Sequence, residues 1–425
     1  MSSPTLSASQ SPRRVAVIGA GAAGSMAAIF AAKAGAHVTL LESTRDGGRK
    51  ILISGGGRCN VLPMRVDESR YVTDSSPNLL RKMLRAWPLA EQINFFENEL
   101  RLPLAEEPES SKLFPLSNKA RDVRDGLLAY ATRAGTTVRT NTVVRGFAPH
   151  DNGWRIECDS AAPIDADAVI VATGGLSVPN TGSDGFGLRE LARLGHTTHP
   201  VYAALTPLVA ADSVFNTLSG VSLRVSLSVR DDSAKRSANA TGGFLFTHQG
   251  YSGPAVLDVS HVAVRSRAEA AAAVAPSARV TVKWTELGAD EWEAALRPQA
   301  NRTVTGALRA VLPDRLAGVL LTMADVDPTR VLAELRREER HRLIETLVSG
   351  VLPWTGDEGY RKAEVTGGGV SLAEVDARTM ESRRHPGLFI CGEVLDAFGP
   401  VGGYNFFWAW ATGRAAGIGA ARQPS

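Results

Sequence analysis

The stretch Val15–Glu42, VAVIGAGAAGSMAAIFAAKAGAHVTLLE, decides the fold. Val15–Ile18 is an apolar run that reads as a buried parallel strand. Gly19, Gly21 and Gly24 follow in G-x-G-x-x-G spacing, with Ala22 and Ala23 inside the motif. A helix of small and apolar residues then closes at Gly35, and a second strand, His37–Leu41, ends on Glu42. Each position has a task in binding a dinucleotide. Gly19 allows the tight turn, Gly21 lets a pyrophosphate approach the backbone, and Gly24 lets the helix pack on the strand. Free N–H groups and the helix dipole favour the pyrophosphate at the helix start. Glu42, about twenty residues on, is placed to accept from a ribose hydroxyl. Arg13 and Arg14 before an alanine-rich run also fit a secretory signal, but spaced glycines and a strand ending on an acid are not expected of one.

Working outward, residues Met1–Pro12 are rich in Ser, Thr and Pro and read as a disordered tail. Asp46–Val61, DGGRKILISGGGRCNV, interleaves five glycines, Gly56 among them, with Arg49, Lys50 and Arg58. Ile51, Leu52 and Ile53 between them argue against a plain linker and for a backbone folded closely round a charged ligand. Leu79–Asn98 is expected to be helical with a break at Pro88, and Ala120–Ala134 is expected to be a second helix. Thr137–Phe147 and Trp154–Cys158 read as strands of a meander. Asp167–Ala172 is another buried strand, and it runs into Thr173, Gly174 and Gly175.

From His199 to about Trp354 the pattern changes. Val221–Val229 alternates apolar and polar residues as a half-buried antiparallel strand does, and Arg279–Trp284 is a further strand. Gly306–Met323 and Thr329–Leu347 read as helices. Leu388–Cys391 then restarts the core sheet and meets Gly392 and Glu393, before a last helix over about Phe406–Ala421. Gly413 and Gly417 in that helix imply close packing on another backbone. A strand running into ATGG, as Asp167–Gly175 does, recurs in two-dinucleotide-domain flavoproteins where the chain returns to the cofactor. The fold class is therefore α/β, a discontinuous Rossmann-like FAD-binding domain with an inserted strand-rich domain that carries a helical lobe. The expected boundaries are a tail over 1–12, FAD-binding parts over 13–198 and 355–425, and an insert over 199–354.

Composition excludes little but is consistent with this. The chain has 425 residues, 44% hydrophobic and 21% charged, which is ordinary for a globular protein. No apolar run approaches the roughly 18 residues needed to span a membrane. Cys59, Cys158 and Cys391 form no metal-ligand spacing, so no metal is expected, and a reducing, cytoplasmic setting is the simplest reading. A net charge of +3 does not by itself argue for nucleic acid.

The sequence resembles the BaiN/RdsA-like bacterial FAD-dependent oxidoreductases. The resemblance rests on GAGAAG at Gly19–Gly24, GRKILISGGGRCN at Gly48–Asn60, ATGGLSVPNTGSDGFG at Ala172–Gly187 and LFTHQGYSGPA at Leu245–Ala255. It continues through TGGGVSLAEVDARTMES at Thr366–Ser382 and GEVLDAFGPVGGYNFFWAWATGRAAG at Gly392–Gly417. Two stretches depart from it. Val61–Pro63 replaces a Thr/Asn-rich turn, and Ala397–Val401 is more apolar than the family pattern. The resemblance implies non-covalent FAD and a substrate that is either a small conjugated alkene or a uracil in ribosomal RNA.

An enzyme of this kind passes a hydride from reduced flavin to one carbon and a proton to its neighbour, with NAD(P)H as transient electron donor. No second G-x-G-x-x-G exists to hold the nicotinamide separately. Cys59 in the glycine-rich loop is a candidate acid if its thiol is exposed near the flavin. His248 and Tyr251 lie on an expected loop of the insert that could face it. Asn60, Thr173, Gly174, Gly392, Glu393, Gly402, Gly403, Tyr404 and Asn405 join the fingerprint, Arg49, Lys50, Gly56 and Arg58 as expected cofactor contacts, and Tyr404 is also a catalytic candidate. Trp408 and Trp410 could stack on a base, but their helix favours core packing. For an RNA substrate, Arg49, Lys50, Arg58 and Arg336–Arg342 are the candidate cations. An oxidase using oxygen and a non-enzymatic flavin sensor or scaffold complete the alternatives.

Overall fold

The computed structural model of the protein describes residues 11–108, 111–159, 162–211, 213–269, 278–298 and 302–423. Most of the expected tail, residues 1–10, lies outside them. The chain forms two compact units, one up to Val201 and again from Val365 on, the other Tyr202–Glu364.

The first unit is built on five parallel strands: β1 (Arg14–Ile18), β2 (His37–Leu41), β3 (Thr137–Arg139), β4 (Ala168–Val171) and β5 (Leu388–Ile390). Their order is β5-β4-β1-β2-β3, every neighbouring pair parallel. Every residue of β4 and β5 is buried, which is why they read as unbroken apolar runs. Helix α1 (Ala22–Lys33) follows β1, α2 (Arg49–Ile53) follows β2, α3 (Ala120–Arg133) precedes β3, and α4 (Tyr404–Ala421) closes the chain. The glycines of α4 meet α1 as expected: a Cβ on Gly413 or Gly417 would stand 2.3 Å from the carbonyl oxygen of Ala23 or Ala27. Both ends of the chain are also tied directly, since Arg13 donates to the Ala420 carbonyl at 3.0 Å near the end of α4.

Several expectations need correction. Thr137–Phe147 is not one strand. Its first residues join β2 in the parallel sheet, and Val144–His150, Gly153–Cys158 and Ile164–Ala166 make a separate antiparallel meander. Gly306–Met323 divides into Val304–Arg309 and Asp314–Met323, because Pro313 has no N–H to continue a helix and favours an extended residue before it. The expected helix Thr329–Leu347 starts only at Arg337 as an α-helix and runs to Ser349. The departure at Val61–Pro63 is a strand edge, Leu62–Pro63 pairing with Lys112–Pro115.

Among the described residues of the second unit seven strands form an antiparallel sheet, with Ser222–Asp231 and Arg236–Phe246 as its longest pair. The apolar face of Ser222–Asp231 packs Val225, Leu227 and Val229 into a core with Phe244, Phe246, Tyr251 and Trp284. Gly356–Asp357 pairs with Leu208–Val209 at one edge of this sheet. Among the described residues no helix is long and apolar enough to cross a membrane.

Candidate active site

The G-x-G-x-x-G turn joins β1 to α1. Gly24 is jammed against it, and a Cβ there would stand 1.8 Å from the Gly19 carbonyl oxygen. Gly21 is the opposite case: it caps α1 with extended backbone, and a Cβ on it would meet no atom within 4 Å. The space above Gly21 is therefore open, and the first free N–H groups of α1 border it. At the end of β2, buried Glu42 accepts from Ala20 N at 2.9 Å and from Thr44 N at 2.8 Å. The acid is thus fixed against the glycine turn, and a carboxylate has lone pairs enough to accept from a hydroxyl as well.

On the other side of β1, the ends of β4 and β5 carry the second half of the site. Glu393 follows β5 and Lys50 lies in α2. The Lys50 ammonium donates to Glu393 Oε2 at 2.6 Å and to Ser177 Oγ at 2.5 Å. Ser177 Oγ and Thr366 N donate to Glu393 Oε1 at 2.7 and 3.0 Å. Thr366 Oγ1 accepts from Leu176 N and Ser177 N, which pins the loop after β4. Burial pushes the Glu393 carboxyl up, but Lys50 and the hydrogen bonds from Lys50, Ser177 and Thr366 outweigh it and hold the carboxyl below its usual range. Ser177 and Thr366 were not among the expected site residues. Each sits inside a motif of the resemblance, but nothing local in the sequence marks it, because Thr366 lies 190 positions from its partner Leu176.

The start of α4 completes the cluster. A Cβ on Gly403 would stand 2.4 Å from the carbonyl carbon of Leu62, so the helix start abuts the end of the Arg58–Pro63 loop. Gly402 lies against the Lys112 side chain, and Asn405 bridges Gly399 N and O at 2.9 Å each. Tyr404 is buried. Its hydroxyl accepts from Asp67 N at 3.3 Å and its carbonyl accepts from the Tyr71 hydroxyl at 2.7 Å. The tyrosine proton itself is donated to no acceptor among the described residues. Asp396, upstream of α4, is a further buried acid, accepting from Asp74 N and Ser75 N at 2.9 and 2.8 Å and so fixing the backbone of those two residues. Trp408 and Trp410 are core residues whose indole N–H groups donate to Gly392 and Val61 carbonyls.

Gly19, Gly21, Ala22, Ala23, Gly24, Glu42, Arg49, Lys50, Gly56, Arg58, Asn60, Thr173, Gly174, Gly392, Glu393, Gly402, Gly403, Tyr404 and Asn405 thus all belong to the first unit. Arg49 is paired with Asp46 at 3.0 Å and Arg58 with Glu107 at 2.9 Å, Arg58 also lying over the Phe114 ring. Gly56 is an αL residue of the turn between α2 and Arg58, and Gly174, just beyond β4, also has positive φ. Two observations fit a large polar ligand here. The Asn60 Oδ1 and Thr173 Oγ1 atoms are buried without a partner among the described residues, and Gly21 opens on free space. These residues suit FAD. Among the described residues no group of His, Cys, Asp and Glu could hold a metal ion.

Cys59 departs from expectation. It has no exposed surface, and burial pushes its thiol up to about 12, with Ser54 opposing in part. The exposure its role as an acid requires is absent, because Ile51, Val61 and Leu62 belong to the same core. A pH test follows. The thiol ionises near 9 when unfolded and near 12 when folded, so its contribution is full below pH 9 and is lost as pH rises to 12. Cys59→Ala should flatten that alkaline loss by on the order of 1 kcal/mol per pH unit relative to wild type in denaturant melts. Parallel curves would show the thiol ionising freely in the folded state.

His248 and Tyr251 lie in the second unit. Tyr251 is not a loop residue: it belongs to the strand Gly250–Ser252 and is buried in the aromatic core. His248 is on an exposed turn, its Nδ1 3.1 Å from Ser219 Oγ.

Comparison with known proteins agrees over nearly the whole chain. A ribosomal RNA dihydrouridine synthase of Escherichia coli (strain K12) is 31% identical over 404 residues, covering 93% of this chain and 95% of that protein. A 3-dehydro-bile acid delta(4,6)-reductase of Clostridium scindens is 31% identical over 419 residues, covering 97% and 100%. The solved structure of 3-ketosteroid delta1-dehydrogenase from Sterolibacterium denitrificans, in complex with 1,4-androstadiene-3,17-dione, aligns over 96% of this chain and 99% of that one. It does so with TM-score 0.53 at 12% identity, a likeness of fold alone. A family model, HI0933-like protein Rossmann domain, matches residues 13–419. Since that match starts at the threshold of β1, ends inside α4 and takes in both units, the chain belongs to the HI0933-like family and is an FAD-dependent oxidoreductase.

Proposed function

We propose that the enzyme reduces an activated C=C bond with electrons from NAD(P)H. The observation that carries this reading is that two relatives at 31% identity, each matched over nearly its full length, are named for reactions that saturate such a bond. Uracil C5=C6 and a dienone are both activated alkenes, so one flavin chemistry serves either. When bound, FAD supplies the hydride. Glu42 and the Gly21 turn hold the adenosine and pyrophosphate, with Asn60 and Thr173 lining the same edge. Tyr404, whose proton is uncommitted, protonates the neighbouring carbon. The nicotinamide binds transiently, since the described strand pairings of the second unit are all antiparallel and offer no second dinucleotide fold.

A small substrate is the better reading of the surface. Four of the cations expected to hold RNA are paired with carboxylates: Arg49 with Asp46, Lys50 with Glu393, Arg58 with Glu107 and Arg340 with Glu293. Denaturation should release FAD from a yellow protein. Anaerobic reduction by NADH or NADPH, then reoxidation by dienone acids or uridine-containing RNA at two ionic strengths, tests the rest. A dienone should reoxidise the flavin with little dependence on salt. Reoxidation by RNA alone, with affinity falling steeply as salt rises, would replace the small substrate by a nucleic acid. Reoxidation by oxygen only would overturn the reading altogether.

A further inference from the structure

We propose that Lys50, locked by Glu393 and Ser177, is the fixed positive charge that favours the reduced form of FAD. This rests on FAD lying along the carboxyl edge of the parallel sheet, as proposed above. The fingerprint sets the pyrophosphate at the β1–α1 turn and the adenosine ribose beside Glu42 on β2. Strand order then leaves the ends of β4 and β5, on the far side of β1, for the flavin half, and Lys50 bridges the segments that follow them.

An ammonium has three N–H donors and no acceptor. Two are committed, to Ser177 and Glu393, and the third has no acceptor among the described residues. The side chain cannot swing away cheaply, because its partner carboxylate is itself tied to Ser177 and Thr366. The pair is largely withdrawn from water, with Lys50 25% and Glu393 18% exposed, so solvent screens it weakly. Two electrons and one proton convert FAD to its anionic reduced form, which adds one negative charge. A charge appearing beside a held ammonium, in a setting that needs no reorganisation, is stabilised. Glu393 moderates that field while fixing its position.

The test is the ratio of reduced to oxidised FAD in loaded protein, read by anaerobic photoreduction against a reference dye. At the wild-type midpoint, Lys50→Met should lower the ratio about tenfold or more, about 30 mV for a two-electron couple. Lys50→Arg, which keeps the charge, should stay within about threefold. Glu393→Gln, whose charge only moderates the field of Lys50, should raise the ratio by less, about threefold, so the double variant Lys50→Met/Glu393→Gln should remain about threefold below wild type. A double variant that returns to the wild-type ratio would show that Lys50 merely neutralises Glu393, and would overturn the proposal. If Lys50→Met does not retain FAD, Glu393→Gln decides, and an unchanged ratio there also overturns it. No arm uses an alkene. Failure to reduce any alkene therefore sinks the reductase reading alone, whereas an unshifted ratio in an active enzyme sinks this one alone.

Discussion

Gly21→Val should give a folded protein that binds FAD about a hundredfold more weakly or worse. Gly21 sits at extended backbone angles that valine tolerates, and a Cβ there meets nothing within 4 Å, so strand and helix have no reason to move. The branched side chain instead fills the opening over the start of α1. There it blocks the approach of a pyrophosphate to N–H groups whose hydrogen bonds to a charged partner contribute about 1.5–3 kcal/mol each. Losing about 2.8 kcal/mol is a hundredfold in affinity. Gly24→Ala is the contrast. Its Cβ would stand 1.8 Å from the Gly19 carbonyl oxygen, so helix and strand must separate and the loss should appear in folding itself. Circular dichroism and FAD titration of both variants separate the two outcomes. Wild-type FAD affinity in Gly21→Val would place the cofactor away from this turn.

Tyr404→Phe should slow reoxidation of the reduced flavin by the alkene about a hundredfold, the usual scale for losing a general acid. The reductive half-reaction with NAD(P)H should stay near wild type, because it takes no proton from this hydroxyl. Cys59→Ala should change reoxidation less than about twofold, since a buried thiol held protonated to about 12 is a poor donor. The tyrosine ring would still pack against Tyr71 in the phenylalanine variant, at 5.6 Å between centroids, and only the weak contact from Asp67 N is lost. Single-turnover stopped flow on the three proteins checks this. Equal rates for wild type and Tyr404→Phe would remove the tyrosine as proton source.

What the sequence by itself determined is what depends on neighbours along the chain. The spacing of Gly19, Gly21 and Gly24 marks the turn, with positive φ at Gly19 and a close backbone contact at Gly24 requiring glycine there, and the unbroken apolar runs of β1 and β4 require burial on both faces. Gly413 and Gly417 announced a helix packed against backbone, and α1 supplies it. Pro88 marked a helix break because a proline lacks the donor to continue one, and Pro313 carries the same signal.

Tertiary structure decided whatever depends on which distant segments meet. Thr137–Arg139 reads like the start of a meander, yet it pairs with β2, because a free strand edge offers hydrogen bonds that local pattern does not reveal. Lys50 and Glu393 are 343 positions apart, so no local reading could show that each is the other's partner. Cys59 lies among glycines and charged residues, a setting that reads as exposed. It is buried all the same, a member of the same core as Ile51, Val61 and Leu62. Spacing fixes conformation because backbone sterics act over a few residues. Burial and charge pairing are settled by the whole packed unit, and that is where the thiol lost its exposure and Lys50 acquired its fixed place.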